Sequence, residues 1–307
     1  MTKKLTITDF ESIFDKPLSE YVIEKINNYN FEYIECTHEE NQQAIATINE
    51  ALSNPELPKA GEHRLEIWEK GWGENLDNFA NSKTIESINP LYFGKFPLIR
   101  FKQKFIRGLS KDFEANSLSI IQDWLFDKYL RSADAIYEFG CGTGHNLFRA
   151  REVNKTAKLW GLDWATSSQK IIDSIRNSGV ESEIYGHKFD YYHPDNRFSL
   201  GENSAVYTVA SLEQIGDQHG KFIEYLLNNK PKICIHIEPI GELLDPTNQL
   251  DSLSLQYFEK RNYLSGFLDA LVSLEKQGKI EILETKRSFI GSLFIDGYSI
   301  IVWKPLN

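Results

Sequence analysis

The residues with the clearest chemical potential lie between Ala135 and Asp163, in the stretch AIYEFGCGTGHNLFRAREVNKTAKLWGLD. Gly140-Cys141-Gly142-Thr143-Gly144 sets glycines at alternate positions, where backbone amides can approach a ligand that any Cβ would hold off. Asn146 to Arg151 then reads as the first turns of a helix, whose start adds unpaired N–H donors at the same place. Asp163 closes the next apolar run, Leu159-Trp160-Gly161-Leu162, and a carboxylate there can accept two hydrogen bonds at once from vicinal hydroxyls. Further on, Glu213, His219, His236 and Glu238 form a second group. Paired carboxylates can orient a cationic amine or guanidine and take its proton, and a histidine can serve as base for a hydroxyl.

A strand, a glycine loop and a helix start must position the first group. The short apolar run Ala135-Ile136-Tyr137 leads into Glu138, and the glycines follow as G-x-G-x-G. A dinucleotide fingerprint would carry its third glycine one place later, at His145, so pyrophosphate binding is disfavoured. With Glu138 two residues before the first glycine and Asp163 ending a second strand, the stretch resembles the class I S-adenosylmethionine-dependent methyltransferases.

That resemblance implies an α/β fold: a Rossmann-like seven-stranded, mostly parallel sheet with an antiparallel C-terminal strand. It also implies S-adenosyl-L-methionine as cofactor, with S-adenosyl-L-homocysteine as product. Gly140, Gly142 and Gly144, with Cys141 and Asn146 beside them, are expected against the methionine moiety, Glu138 near its amino group, and Asp163 on the ribose. Trp164 is expected on the adenine face, Asp190 accepting from the adenine amino group, and Tyr191 beside the ring. Ala210 opens the loop where the transferable methyl is expected, off the carboxyl ends of the strands.

The methyltransferase domain is expected over residues 112–307, preceded by a largely helical extension, 1–111, that caps the substrate. Helices are predicted over 117–130 and 167–177, with a long helical pattern over 252–275. Strands are predicted over 183–190, 204–209, 233–239, 279–285 and 298–303, with an extended hairpin over 287–297. The closing antiparallel pair is absent from dinucleotide-binding halves and agrees with the glycine spacing.

In the extension, Thr37-His38-Glu39-Glu40 matches a capping box, and Ala44, Ile45, Ile48 and Leu52 share a helical face. Leu65, Trp68, Trp72 and Leu76 read as a second stripe, with a break expected at Gly71 and Gly73. The two tryptophans are expected to pack the extension on the main domain, the alternative being an aromatic wall of a substrate pocket. Residues 89–107 interleave aromatics with cations. A solvated loop, a single-strand nucleic-acid platform and a pocket edge gripping an anionic group all fit, the last being favoured, with Tyr92, Lys95 and Arg100 as the grip.

At 307 residues, 41% hydrophobic and 25% charged, the chain has the composition of a globular protein with room for one α/β domain and a substantial addition. A formal charge of -10 argues against a broad nucleic-acid footprint. Cys36, Cys141 and Cys234 are widely spaced, with no zinc-type pair and no disulfide framework, so a metal site is not expected. The start, MTKKLTITDF, lacks the apolar core of a signal peptide, and no apolar run approaches a membrane span, so a cytoplasmic setting is expected.

The expected reaction is methyl transfer to an N or O atom of a small-molecule acceptor, an amino compound or a sugar-linked intermediate. Glu213, Glu238 or His236 would take the proton, and Gln214 and His219 would contact the acceptor. The Asn/Asp-Pro-Pro-Tyr/Phe tetrad of amino methyltransferases acting on DNA bases and glutamine is absent. Protein arginine or lysine N-methylation, and a cofactor-binding interaction module without turnover, are the alternatives.

Overall fold

The computed structural model describes residues 1–90 and 93–306. The extension begins with β1 (Thr2–Lys4), α1 (Ile7–Phe14), α2 (Glu20–Asn28), β2 (Glu32–Glu35), α3 (His38–Ser53) and α4 (Leu65–Ser82). A hairpin of β3 (Leu98–Phe101) and β4 (Lys104–Gly108) follows. Beyond it come α5 (Phe113–Tyr129), β5 (Ala135–Phe139), α6 (His145–Val153), β6 (Lys158–Asp163), α7 (Thr166–Ser178), β7 (Ile184–Lys188) and β8 (Ser204–Val209). The chain continues through α8 (Gly220–Asn229), β9 (Ile233–Glu238), α9 (Gln249–Arg261), α10 (Phe267–Lys276), β10 (Ile280–Lys286), β11 (Ile290–Gly291) and β12 (Ser299–Pro305).

Seven strands form one sheet in the order β10-β12-β9-β8-β5-β6-β7. Every pair from β9 to β7 is parallel, and β12 runs antiparallel to both its neighbours. This is the sheet the resemblance implied. Its strand residues follow the burial rule for parallel sheets: β5, β8 and β9 are near-continuous apolar runs, because helices cover both faces. β5 lies between β6 and β8, so the order reverses at its carboxyl end, and the loops after β5 and β8 diverge there to leave a crevice.

The extension is largely helical, and it also supplies four strands to a second sheet, β1-β2-β4-β3-β11. Those strands are short and carry aromatics and cations together, so their alternation is weak as a sequence signal. The capping box at Thr37 forms: its hydroxyl accepts from the Glu40 amide at 3.2 Å while Glu40 accepts from the Thr37 amide at 2.8 Å. The edge strand β11 comes from the connection between β10 and β12, which also turns back through a Gly291–Asp296 bridge. Arg287 clamps that connection to Asp251 of α9 and to Asp296.

Two expectations about helices are corrected. α4 runs unbroken through Gly71 and Gly73, where the Cβ positions meet nothing within 4 Å. The propensity cost of about 1 kcal/mol per glycine is offset by packing of Trp72, Leu76 and Phe79 into the core. The pattern over 252–275 resolves into two helices, because Asn262 adopts φ 53° and ends α9, a left-handed conformation that asparagine tolerates. A single apolar cluster joins extension residues such as Phe10 and Phe14 to Trp124 of α5 and Ile136 of β5, with Phe14 stacked on Trp124 at 4.4 Å. Among the described residues no helix is long and apolar enough to cross a membrane.

Candidate functional site

The glycine loop after β5 is tied to β6 through its own backbone. Gly140 and Cys141 donate to the Leu162 carbonyl at 2.7 and 3.0 Å, and Gly142 donates to the Asp163 carboxylate at 2.9 Å. Gly142 has φ +53°, and a Cβ there would sit 2.8 Å from the Trp72 ring, so only glycine lets α4 close over the loop. Gly144 serves differently: its Cβ would meet Ile172 of α7 at 2.5 Å, so it makes room for helix packing and does not line the cavity.

A cavity of about 590 Å³ opens off the carboxyl ends of β5, β6 and β8. It brings together Gly140, Cys141, Gly142, Asn146, Asp163, Trp164, Asp190, Tyr191 and Ala210 from among the expected cofactor residues. Asp163 also accepts from the Ala165 amide at 2.9 Å. Burial pushes its carboxyl up to about 6, against the lowering effect of these two backbone donors. Its oxygens keep lone pairs beyond those two bonds, so it can still accept from hydroxyls.

Glu138 does not line the cavity. It lies beneath the loop, accepting from Asn146 Nδ2 at 2.7 Å and from the Tyr207 hydroxyl at 3.0 Å. Burial raises it to about 8. Asn146 is the polar group that reaches the cavity, held between Glu138 and Gln122, whose Nε2 donates to it at 2.8 Å.

Glu213, in the turn after β8, also lines the cavity, with Gln214 beside it. Enclosure raises Glu213 to about 7, partly opposed by bonds from Gln214 and Tyr263 and by the charges of Arg261 and Arg64. The turn is held from behind by Glu238, whose two oxygens accept from the Ser211 amide at 3.1 and 3.0 Å.

Several expected residues lie elsewhere. Glu238 is fully buried in that supporting role, away from the cavity lining. His236 is a core residue: its Nε2 accepts from Trp303 Nε1 at 2.9 Å and its Nδ1 pairs with the Thr208 hydroxyl at 2.9 Å. Burial lowers it to about 3, so it stays neutral. His219 also points away from the cavity, with Nε2 bonded to the Ser265 carbonyl at 3.0 Å.

Of the proposed cationic grip, Lys95 lines the cavity and Tyr92 lies outside the described residues. Arg100 is corrected: its guanidinium is buried and spent on the Leu250, Leu293 and Phe294 carbonyls and the Ser254 hydroxyl, stitching β3 to α9 and to the segment after β11. The expectation for the tryptophans is also overturned in part. Trp68 and Trp72, stacked at 5.4 Å on α4, form a wall of the cavity, and Trp72 packs against the core as well.

Arg64, Glu114, His145, Arg261 and Tyr263 also line the cavity, and none of them stood out in the sequence. His145 occupies the place where the dinucleotide glycine would be, and burial lowers it to about 3. Arg64 and Arg261 lie in ordinary polar stretches, and only the meeting of two distant segments gives them a shared role.

The sequence matches no protein-family model and no curated protein. Among solved structures the chain is similar to the magnesium protoporphyrin IX methyltransferase of Synechocystis PCC 6803 with bound SAH, at 12% identity and a TM-score of 0.45, covering 61% of this chain and 81% of that one. It is similar to the O-methyltransferase NcsB1 from neocarzinostatin biosynthesis, crystallised with S-adenosylmethionine and 2-hydroxy-5-methyl naphthoic acid, at 12% identity and 0.44, covering 80% and 70%. A third is human N-acetylserotonin methyltransferase in complex with SAM, at 11% identity and 0.44, covering 96% and 73%. Likenesses at this level add nothing to what the strand order and the glycine loop already carry.

Proposed function

We propose that the chain is an S-adenosylmethionine-dependent methyltransferase acting on an N or O atom of a small-molecule acceptor. The observation that carries this reading is the direct bond from the Gly142 amide to Asp163, which joins the glycine loop and the acidic strand end into one wall of a single cavity. The residues present fit the cofactor. Asp163 offers lone pairs for two ribose hydroxyls, Gly140 and Gly142 expose backbone for the amino-acid moiety, and Trp164 offers a flat face for the adenine.

When bound, the cofactor supplies a methyl group on a positively charged sulfur. The protein aligns the acceptor and excludes water. Glu213, raised to about 7, is poised to accept a proton from an acceptor hydroxyl or amine near neutral pH. The stacked tryptophans of α4 narrow the cavity, and a volume of about 590 Å³ is of the size small-molecule sites have, which favours a small acceptor over a protein side chain.

Calorimetric titration with S-adenosylhomocysteine tests the cofactor assignment, with saturable binding in the wild type and its loss in Asp163→Ala expected. Slow release of adenosylhomocysteine on incubation with adenosylmethionine separates an enzyme from a binding module. A wild-type protein that binds neither nucleotide would sink the reading.

A further inference from the structure

Two guanidiniums line the cavity beside Glu213. Arg64 closes the turn before α4 and Arg261 is the last residue of α9. Two hydrogen bonds bring their segments together: the Ala60 backbone amide donates to the Arg261 carbonyl at 2.7 Å, and the Asn262 side-chain Nδ2 donates to the Ala60 carbonyl at 3.3 Å. Ala60 is itself buried in an apolar cluster with Tyr257, Phe258 and Tyr263, so this junction is fixed.

The cations are close enough to repel, and burial with that repulsion lowers Arg64 from its ordinary value. Arg64 lies over the Trp68 ring at 5.6 Å, and Arg261 lies over Tyr263 at 4.8 Å while donating to the Tyr257 hydroxyl at 2.9 Å. Among the described residues Arg64 Nε and Nη1 and Arg261 Nε are buried without an acceptor. Buried donors left unmet are costly, and two like charges on facing elements are costlier still. Glu213 supplies one compensating carboxylate, and the set is one negative charge short.

From this we infer that the acceptor is a flat aromatic molecule bearing a carboxylate, which Arg64 and Arg261 grip while the ring lies against Trp68, Tyr257 and Phe294. One carboxylate brings the two guanidiniums and Glu213 to neutrality, whereas a phosphate dianion would overshoot and face Glu213. Trp68, Tyr257 and Phe294 line the same cavity, with Tyr257 and Phe294 stacked at 5.1 Å, so the walls suit a planar ring. Calling this ligand the acceptor rests on the methyl-transfer reading; the anion site itself does not.

The test is direct binding to the full chain saturated with S-adenosylhomocysteine, using 6-hydroxy-2-naphthoate, its methyl ester and 2-naphthyl phosphate, read by tryptophan fluorescence and calorimetry. The acid is expected to bind at least about ten-fold more tightly than the ester, as charge-assisted hydrogen bonds require. Arg64→Ala and Arg261→Ala are each expected to weaken the acid about ten-fold or more and leave the ester unchanged, with Arg64→Lys and Arg261→Lys between. These lysine variants and the acid-to-ester ratio of the wild type keep the test valid where an alanine variant fails to fold. Equal binding of acid and ester, no binding of the acid, tighter binding of the phosphate, or parallel losses for acid and ester would each overturn the proposal. Should adenosylhomocysteine fail to bind while the acid is still preferred over the ester in its absence, the methyl-transfer reading falls and the anion site stands.

Discussion

The Asp163 carboxylate accepts the Gly142 amide at 2.9 Å and the Ala165 amide at the same distance, so one side chain fixes the glycine loop and the start of α7 together. Asp163→Ala therefore removes a ligand contact and loosens the loop. Adenosylhomocysteine affinity is expected to fall by about 10²-fold or more, from charge-assisted bonds of roughly 1.5–3 kcal/mol each. Asp163→Asn, which keeps an acceptor oxygen, is expected to lose less. Calorimetry decides, and an alanine variant that binds as well as the wild type removes Asp163 from the site.

The same carboxyl predicts a pH dependence. Burial raises it to about 6, so ionisation costs the free protein stability as pH rises from the ordinary carboxylate range through about 6. Ribose hydroxyls favour the ionised form. Adenosylhomocysteine affinity is expected to fall as pH is lowered through about 6 and to level off above 7, and Asp163→Asn is expected to flatten that profile. A wild-type affinity constant between pH 5 and 8 would contradict it.

Gly142→Ala places a Cβ 2.8 Å from the Trp72 ring in a left-handed conformation that costs about 1–2 kcal/mol by itself. The melting temperature is expected to drop and adenosylhomocysteine binding to weaken by about ten-fold or more. Because the clash is with Trp72, the double variant Gly142→Ala, Trp72→Ala should lose less than the sum of the two single variants. Strict additivity would mean that α4 does not close over the loop.

His236 is expected to matter for stability alone. Replacing it with leucine strands the Trp303 N–H in the core, at about 1–3 kcal/mol, while the Thr208 hydroxyl keeps Glu238 as a partner. Chemical denaturation should register that loss, while adenosylhomocysteine affinity stays within about two-fold of the wild type. A variant of full stability would place the imidazole outside this core network.

Glu213 should shape the rate. With its carboxyl near 7, methyl transfer to a hydroxyl acceptor is expected to rise with pH through about 7. Glu213→Gln should lower turnover by about 10²–10⁴-fold and abolish that rise. An unchanged pH profile in the variant would show that proximity alone suffices.

The main sheet was legible from sequence because its central strands β5, β8 and β9 are near-continuous apolar runs, and 204–209 coincides with β8. The glycine loop and Asp163 were legible too, since local spacing fixes them. Glu238, His236 and His219 misled because carboxylates and imidazoles at strand ends also serve to anchor loops and fill cores, and sequence does not distinguish facing in from facing out. Arg100 misled in the same way. Arg64 and Arg261 escaped notice because they become a pair only when residue 60 docks on the end of α9, a contact between segments about two hundred positions apart.

Because β3 finds its outer neighbour in Ile290–Gly291, the amino-terminal sheet waits on residues that leave the ribosome late. Until they emerge, β3 presents an open edge, the kind of surface that invites mispairing during synthesis. The same thread limits evolutionary exchange: a recombination event that swapped only the residues up to the end of β4 would bring in a sheet whose last partner stayed behind in the other parent.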